Sequence, residues 1–570
     1  MMKKLVLLTL ALVMALSVFA CTSAAPQTAQ ATAVPATEAP TEAATEAPAA
    51  PEATAEEAPA EPVGAPDPAA VPGEALALEK SPFVNPIVGK SDEGDYTFCG
   101  DPAVLIDGDT AYLYVGHDTA KITDGGYIMP DYLCYSSKDL QNWTYEGVVF
   151  SMKEGDCKWS NDKTSAWASQ AVKHTDPATG KELYYLYYCT WDRTAQGKQS
   201  IGVATSETPT GRFTDLGKAL VAGTVTGPET SGWNDIDPTV WIETDENGEE
   251  HRYLAWGNGL FYVCELNEDM ISVKDRNGDG KITSGAIGSG ADIINQQTGL
   301  QDFTEAPWLY RRTDETGKAY GPYYLFYAHG WREKMAYATA DSLMDSEWTF
   351  GRVLMPPTAT SNTNHMAVFD FLGKTWFVYH NGSLPAGHGF RRSPCITELH
   401  FDENGGVNRI PETAAGPWGT VVRIEQTAGD GILTHLQLAN SSGDGAYPML
   451  DVDLAMEEET EPLNSCWVLV AGKADPADDT LVSIQSENKP GLYVTAEDDE
   501  TLYLAQDADA TAQTAEKQTF RSVSALDGSD GVSFESVAFP GRYLSCVDGW
   551  TELTDGSDAT ACSFAVTPVK

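Results

Sequence analysis

The chain has 570 residues, 42% of them apolar, and carries 36 basic against 83 acidic side chains for a formal charge of −47. That length is enough for two or more domains with their own cores. So negative a balance argues against nucleic acid or anionic lipid as partners, and no run after Ala20 is apolar for long enough to span a bilayer.

Residues 1–21 read as a signal peptide: Lys3 and Lys4, an apolar stretch from Leu5 to Ala20, then a cysteine. Ser17-Val18-Phe19-Ala20-Cys21 is similar to a bacterial lipobox, with Val18 where leucine is usual. Lipidation of Cys21 would anchor the protein to the extracellular face of the cell membrane. Residues 22–80 are nearly all Ala, Pro, Thr and Glu and lack the aromatics needed to offset chain entropy. They are expected to form a disordered tether reaching on the order of 40 Å as a coil.

From 81 to 422 the pattern is all-β. Short aromatic and β-branched runs begin at Ala111, Leu183, Tyr253, Tyr323 and Thr375, each bounded by Gly, Asp or Asn. Five similar strands at a spacing of about 65–70 residues predict the blades of a five-bladed β-propeller, each a four-stranded sheet. Three acidic motifs punctuate this region: Gly-Asp-Pro-Ala-Val at 100–104, Asp-Ile-Asp-Pro-Thr-Val at 235–240 and Thr-Glu-Ala-Pro-Trp at 304–308. In each, a carboxylate stands near a proline, which restricts the backbone around it. Positioned carboxylates in differing environments are what acid–base cleavage of a glycosidic bond requires. Asp275-Arg-Asn-Gly-Asp-Gly-Lys-Ile-Thr283 starts like a calcium-binding loop, but its twelfth position is Ala286 rather than glutamate, so it reads as a polar turn. Nine cysteines follow Cys21, none in a C-x-x-C pair, and are expected to be mostly buried thiols with at most one bridge.

Residues 423–570 are richer in Ser, Thr, Asp and Ala. Ser-Ile-Gln-Ser-Glu-Asn-Lys-Pro-Gly-Leu-Tyr at 483–493 and Ser-Phe-Glu-Ser-Val-Ala-Phe-Pro-Gly-Arg-Tyr at 533–543 repeat each other, and a weaker copy runs over 436–467. Three β repeats predict a β-trefoil. The join near Arg423 is poor in apolar residues, so the propeller is expected to stand alone.

The region from Asn85 to about Ile410 resembles glycoside hydrolase family 43. The resemblance rests on Asn85-Pro-Ile, Gly100-Asp101-Pro, the 136–143 and 166–170 segments, the strand ahead of Asp237, Asn364-His365, Tyr379-His-Asn-Gly382 and Arg391-Arg-Ser393 taken in order. Ala306 departs from the family, which usually has glycine there. The resemblance implies an inverting glycosidase in which Asp101 is the general base, Glu305 the general acid, and Asp237 the carboxylate that orients the acid and raises its pKa. It also implies that Arg392 lies close to the substrate. His365 would help hold a calcium ion or a water cluster near the propeller axis, with no cofactor otherwise required. Trp167, Trp191 and Trp308 are candidates for stacking on sugar. The Pro-Gly-x-Tyr repeats resemble the arabinofuranosidase B type carbohydrate-binding module, which tilts the expected activity to α-L-arabinofuranosidase and the expected partner to plant cell-wall arabinoxylan or arabinan. β-Xylosidase, endo-arabinanase and exo-galactanase remain open within the family, as does a non-catalytic glycan-binding lipoprotein of another class.

Overall fold

The structure, a computed structural model, describes residues 72–569 apart from 91–94, 227–231, 288–293, 315, 430, 436–450, 458–461, 499 and 548–549. The signal segment, Cys21 and most of the tether lie outside the described residues, as does much of the weak third repeat.

Five sheets follow one another along the chain, each beginning with its innermost strand: Cys99–Asp107, Ser169–Thr175, Thr239–Thr244, Phe303–Thr313 and Met366–Phe371. The aromatic runs expected as blade centres are the second strands, for example Glu182–Asp192 and Ala319–His329. These strands are buried on both faces because each blade packs between two others, so they read as continuous apolar runs. Four apolar clusters fill the wedges between neighbouring blades: one joins the first, fourth and fifth blades, and the others join the first to the second, the second to the third and the third to the fourth. The fifth sheet is closed from the start of the chain. The Asn85 side chain donates to Ile396 O and accepts from Ile396 N, while Ile87 N donates to Pro394 O. This return of the N-terminal segment to the last blade covers the outer edge of the fifth sheet.

The second domain is a twelve-stranded β-trefoil sheet beginning at Val422–Gln426 and ending at Phe564–Pro568. The two repeats hold equivalent positions: Gln485 pairs with Tyr493 in one and Glu535 with Tyr543 in the other. All nine cysteines of the described residues are free thiols, so the expected single bridge is absent among them.

Two expectations need correction. The tether does not run to residue 80: Leu76 N donates to Ser522 O, Ala75 bridges to Val523, and Leu78 is buried inside the trefoil core. A single well-placed leucine suffices, because the trefoil already supplies the apolar pocket. Nor does the propeller stand apart from the trefoil. Ala414 and Ala415 pack on Val468, with Val84, Val421 and Val470 around them. Beside this seam the buried Glu487 accepts hydrogen bonds from the Thr413 hydroxyl and from Ala415 N, and its carbonyl accepts from Ala414 N. The seam is built from small residues and one carboxyl, a composition that does not register as a hydrophobic stretch.

Candidate active site

The five innermost strands begin at one end of the propeller, and four of the residues singled out in the sequence stand at those beginnings: Asp101, Asp237, Glu305 and His365. At this end the backbone leaves regular strand geometry. Asp101, Asp237 and Ala306 have φ of 54°, 59° and 56°, left-handed values that cost a non-glycine residue roughly 1–2 kcal/mol. The ladders slip between Gly100 and Ala103 and between Glu305 and Trp308. Such bulges re-aim a side chain out of the alternation along the strand, which is how these carboxylates reach the axis. Ala306 is held at its φ by a 2.9 Å hydrogen bond from its N–H to Asp237 Oδ2.

Asp101 is 8% exposed and bound by Arg392 through both carboxylate oxygens, at 2.6 and 3.2 Å. Its N–H donates to His380 Nδ1. Burial pushes the Asp101 carboxyl up, but the Arg392 guanidinium, with His365 and His380, outweighs it and holds the carboxyl below the ordinary aspartate value. Arg392 is itself 2% exposed and grips a second carboxylate, Asp118, through Nε at 2.9 Å and Nη2 at 3.0 Å, while lying over the Tyr127 ring. Gly100 is required here, since a Cβ would collide with this guanidinium. Arg392 therefore spends its donors on Asp101 and Asp118 rather than presenting them to a substrate.

Glu305 is only half-buried and opens onto a cleft of about 400 Å³ that Asn258, Trp331, Glu333 and Phe390 also line. Its Oε2 accepts from Asn258 Nδ2 at 2.6 Å. Burial, then the charge of Asp101, raises its pKa. Asp237, 5% exposed, is pushed well above the aspartate range by burial and then by Glu305 and Asp101. A fourth carboxyl joins them. Glu333 is 2% exposed, accepts from Asn364 N at 2.7 Å, and is raised by burial and by the charge of Glu305, with which it shares a hydrogen bond. The site thus sets one carboxyl whose pKa is lowered across from three whose pKa values are raised, a division suited to a base and an acid working together. Glu333 has no proline-flanked motif; only its place at the mouth of the fourth blade reveals it.

The aromatic candidates divide. Trp308 is 4% exposed, donates to Val368 O and belongs to the core between blades, so it does not stack on sugar; the bulge at Glu305 turns it inward. Trp167 and Trp191 form a cluster with Trp233, which stacks on Trp167 at 5.1 Å and is 48% exposed. Trp331, 60% exposed at the rim beside Glu305, has no counterpart among the residues expected from sequence. His365 is 6% exposed and neutral, its pKa pushed down to about 4 by burial. Among the described residues, the charges that act on it are those of Asp101 and Arg392, already paired with each other. Calcium takes six to eight oxygen ligands, and an imidazole supplies none, so water would have to fill a calcium site here. Among the described residues, the one cluster of three possible metal-ligating side chains is Asp245, Glu249 and His251, which does not include His365. In the 275–283 turn the Asp275 oxygens accept from Gly278 N and Gly280 N, capping the turn themselves.

The family model for glycosyl hydrolases family 43 matches residues 95–407, and that for the alpha-L-arabinofuranosidase B (ABFB) domain matches residues 449–561. The chain is 28% identical over 353 residues to the arabinoxylan arabinofuranohydrolase of Paenibacillus polymyxa, an alignment covering 56% of this chain and 51% of that one. It thus spans about half the length of that relative. It is 26% identical over 356 residues to a xylosidase/arabinosidase of Bacteroides ovatus, covering 56% and 95%. Among solved structures, an alpha-L-arabinofuranosidase from Clostridium thermocellum is 28% identical with a TM-score of 0.41, covering 54% of this chain and 92% of that one. A beta-xylosidase/alpha-arabinofuranosidase from a compost metagenome, described as a calcium-free form with xylotriose, is 21% identical with a TM-score of 0.44, covering 58% and 98%.

Proposed function

This chain belongs to glycosyl hydrolases family 43, and from that premise we propose that it is a surface-anchored, inverting hydrolase releasing α-L-arabinofuranosyl groups from arabinoxylan or arabinan. The observation that carries the chemistry is the contrast between Asp101, kept ionised by Arg392, and Glu305, raised by burial beside further carboxyls. In this reading Asp101 takes a proton from water as the water oxygen bonds to the anomeric carbon. The bond to the leaving oxygen breaks as Glu305 gives that oxygen its proton. The cycle leaves Asp101 protonated and Glu305 ionised, and exchange with solvent restores both. Asp237 holds Ala306 N–H, fixing the backbone beside the acid, and adds a like charge that favours the protonated acid.

The preference for arabinose is supported by the names of the relatives and by the ABFB domain. Anchoring is supported by the lipobox-like residues 17–21 alone. A panel of nitrophenyl arabinofuranoside, nitrophenyl xyloside, linear arabinan, arabinoxylan and galactan tests the substrate, and proton NMR of early product tests inversion. Asp101→Asn and Glu305→Gln are each expected to lower kcat by about 10²–10⁴-fold with folding intact. Near-normal rates in both, with folding intact, would overturn the assignment of base and acid, whereas a folded wild-type protein inactive on the whole panel would favour the glycan-binding lipoprotein.

A further inference from the structure

The strand Leu502–Gln506 of the trefoil ends against the propeller loop that leads into Arg392. Gln506 Nε2 donates to two carbonyls of that loop, Gly382 O at 2.9 Å and Gly387 O at 2.8 Å. Ala386 N donates in turn to Asp507 O at 2.8 Å. The approach is close, for a Cβ on Gly491 would lie 2.6 Å from Ser383 Cα. From this clamp the loop continues into a tight turn in which Arg391 N donates to His388 O and His388 N to Arg391 O. Arg391 Nε returns to Ala386 O at 2.8 Å, Phe390 lines the cleft, and the next residue is Arg392, bound to Asp101.

We propose that Gln506 is a positioning residue for the hydrolytic centre: the trefoil's second lobe holds residues 382–392 where Arg392 meets Asp101. The lobe is committed to this task in a second way. Its repeat residues Tyr493 and Asp507 enclose Lys473, which pairs with Asp507 and lies 4.3 Å from the Tyr493 ring centroid. The trefoil is then part of the enzyme's working site and more than a tether to polymer.

The proposal rests on the reading of Asp101 as base, so the experiment has one arm that needs no substrate. Hydrogen exchange of peptides covering 382–392 is compared in the full chain and in Gln506→Ala and Gln506→Glu. Faster exchange in this loop, with other blades unchanged, is expected; unchanged exchange overturns the clamp. In the second arm kcat/KM on nitrophenyl arabinofuranoside is expected to fall roughly 10- to 100-fold, the scale of a misplacement near 1 Å. Its acid limb should move up by about half a unit or more as Arg392 loosens from Asp101. A merely structural role would lower stability without moving that limb, so an unmoved limb in a folded variant also overturns the proposal. Should Gln506→Ala fail to fold, the near-isosteric Gln506→Glu is read alone; its charge faces two carbonyls and opens the same contact. An inactive wild-type protein would instead fault the functional reading and leave the exchange result standing.

Discussion

Asp101 and Glu305 begin strands of the same ring, yet their surroundings treat them oppositely. Burial pushes both up, but Asp101 has a guanidinium at 2.6 Å that outweighs it, whereas Glu305 is raised further by the charge of Asp101. Asp237 and Glu305 repel each other as like charges, so replacing Asp237 by Asn should let Glu305 give up its proton more readily. If Glu305 is the proton donor, the alkaline limb of the kcat/KM profile is expected to move to lower pH by about one unit; an unmoved limb would separate Asp237 from that donor. The tryptophans allow a second comparison. Trp308→Ala opens a cavity in the core between blades and should cost about 3–5 kcal/mol in urea unfolding. Trp331→Ala removes an exposed rim residue and should leave stability alone while raising KM by a few-fold to about tenfold, the ~0.5–1.5 kcal/mol of an aromatic contact.

At the scale of elements, the seam between propeller and trefoil carries its own titration. Burial raises Glu487 to about 7, against the contrary pull of Thr413 and the backbone N–H groups of Ala415 and Ala414. Glu412, also raised to about 7 by burial, lies nearby with Asn381 and Ala359 N. A carboxyl whose folded pKa lies above its unfolded value stabilises the fold most at low pH, and that contribution fades as pH climbs from about 4.5 to about 7. Glu487→Gln keeps the shape without the proton. The variant should match the wild type near pH 4 and exceed it by up to about 3 kcal/mol above pH 7. Melting curves across that range check this, and parallel curves would mean the carboxyl is not held protonated in the seam. The short segment ending in Leu78 belongs to the same scale: a few residues of low complexity become ordered once the trefoil offers them a core and a strand edge.

For the whole molecule, the lipobox-like residues 17–21 carry a prediction about where the protein works. If Cys21 carries lipid, radiolabelled palmitate should be incorporated, and Cys21→Ala should release the protein to the medium with its activity intact. A variant that stays on the cell would rule the anchor out. With 47 more acidic than basic charges, the released protein is expected to remain soluble.

What the sequence determined by itself was whatever depends on local order and repetition. Five aromatic strands in series predicted five blades, and two Pro-Gly-x-Tyr repeats predicted the trefoil. Prolines beside Asp101, Asp237 and Glu305 marked carboxylates held at strand starts. These signals survive in one dimension because they come from strand periodicity and from backbone restriction near proline. The tertiary structure alone decided what each residue meets across the ring. Arg392 reaches Asp101 over 291 positions of chain, and Glu333 joins Glu305 from the loop after the next strand of the same blade. Trp308 turns into the core because a bulge shifts its strand, and Gln506 contacts the 382–387 carbonyls from another domain. Such pairings depend on closure of the ring and on docking of the trefoil. Both are sums of many small contacts that no single stretch of sequence contains.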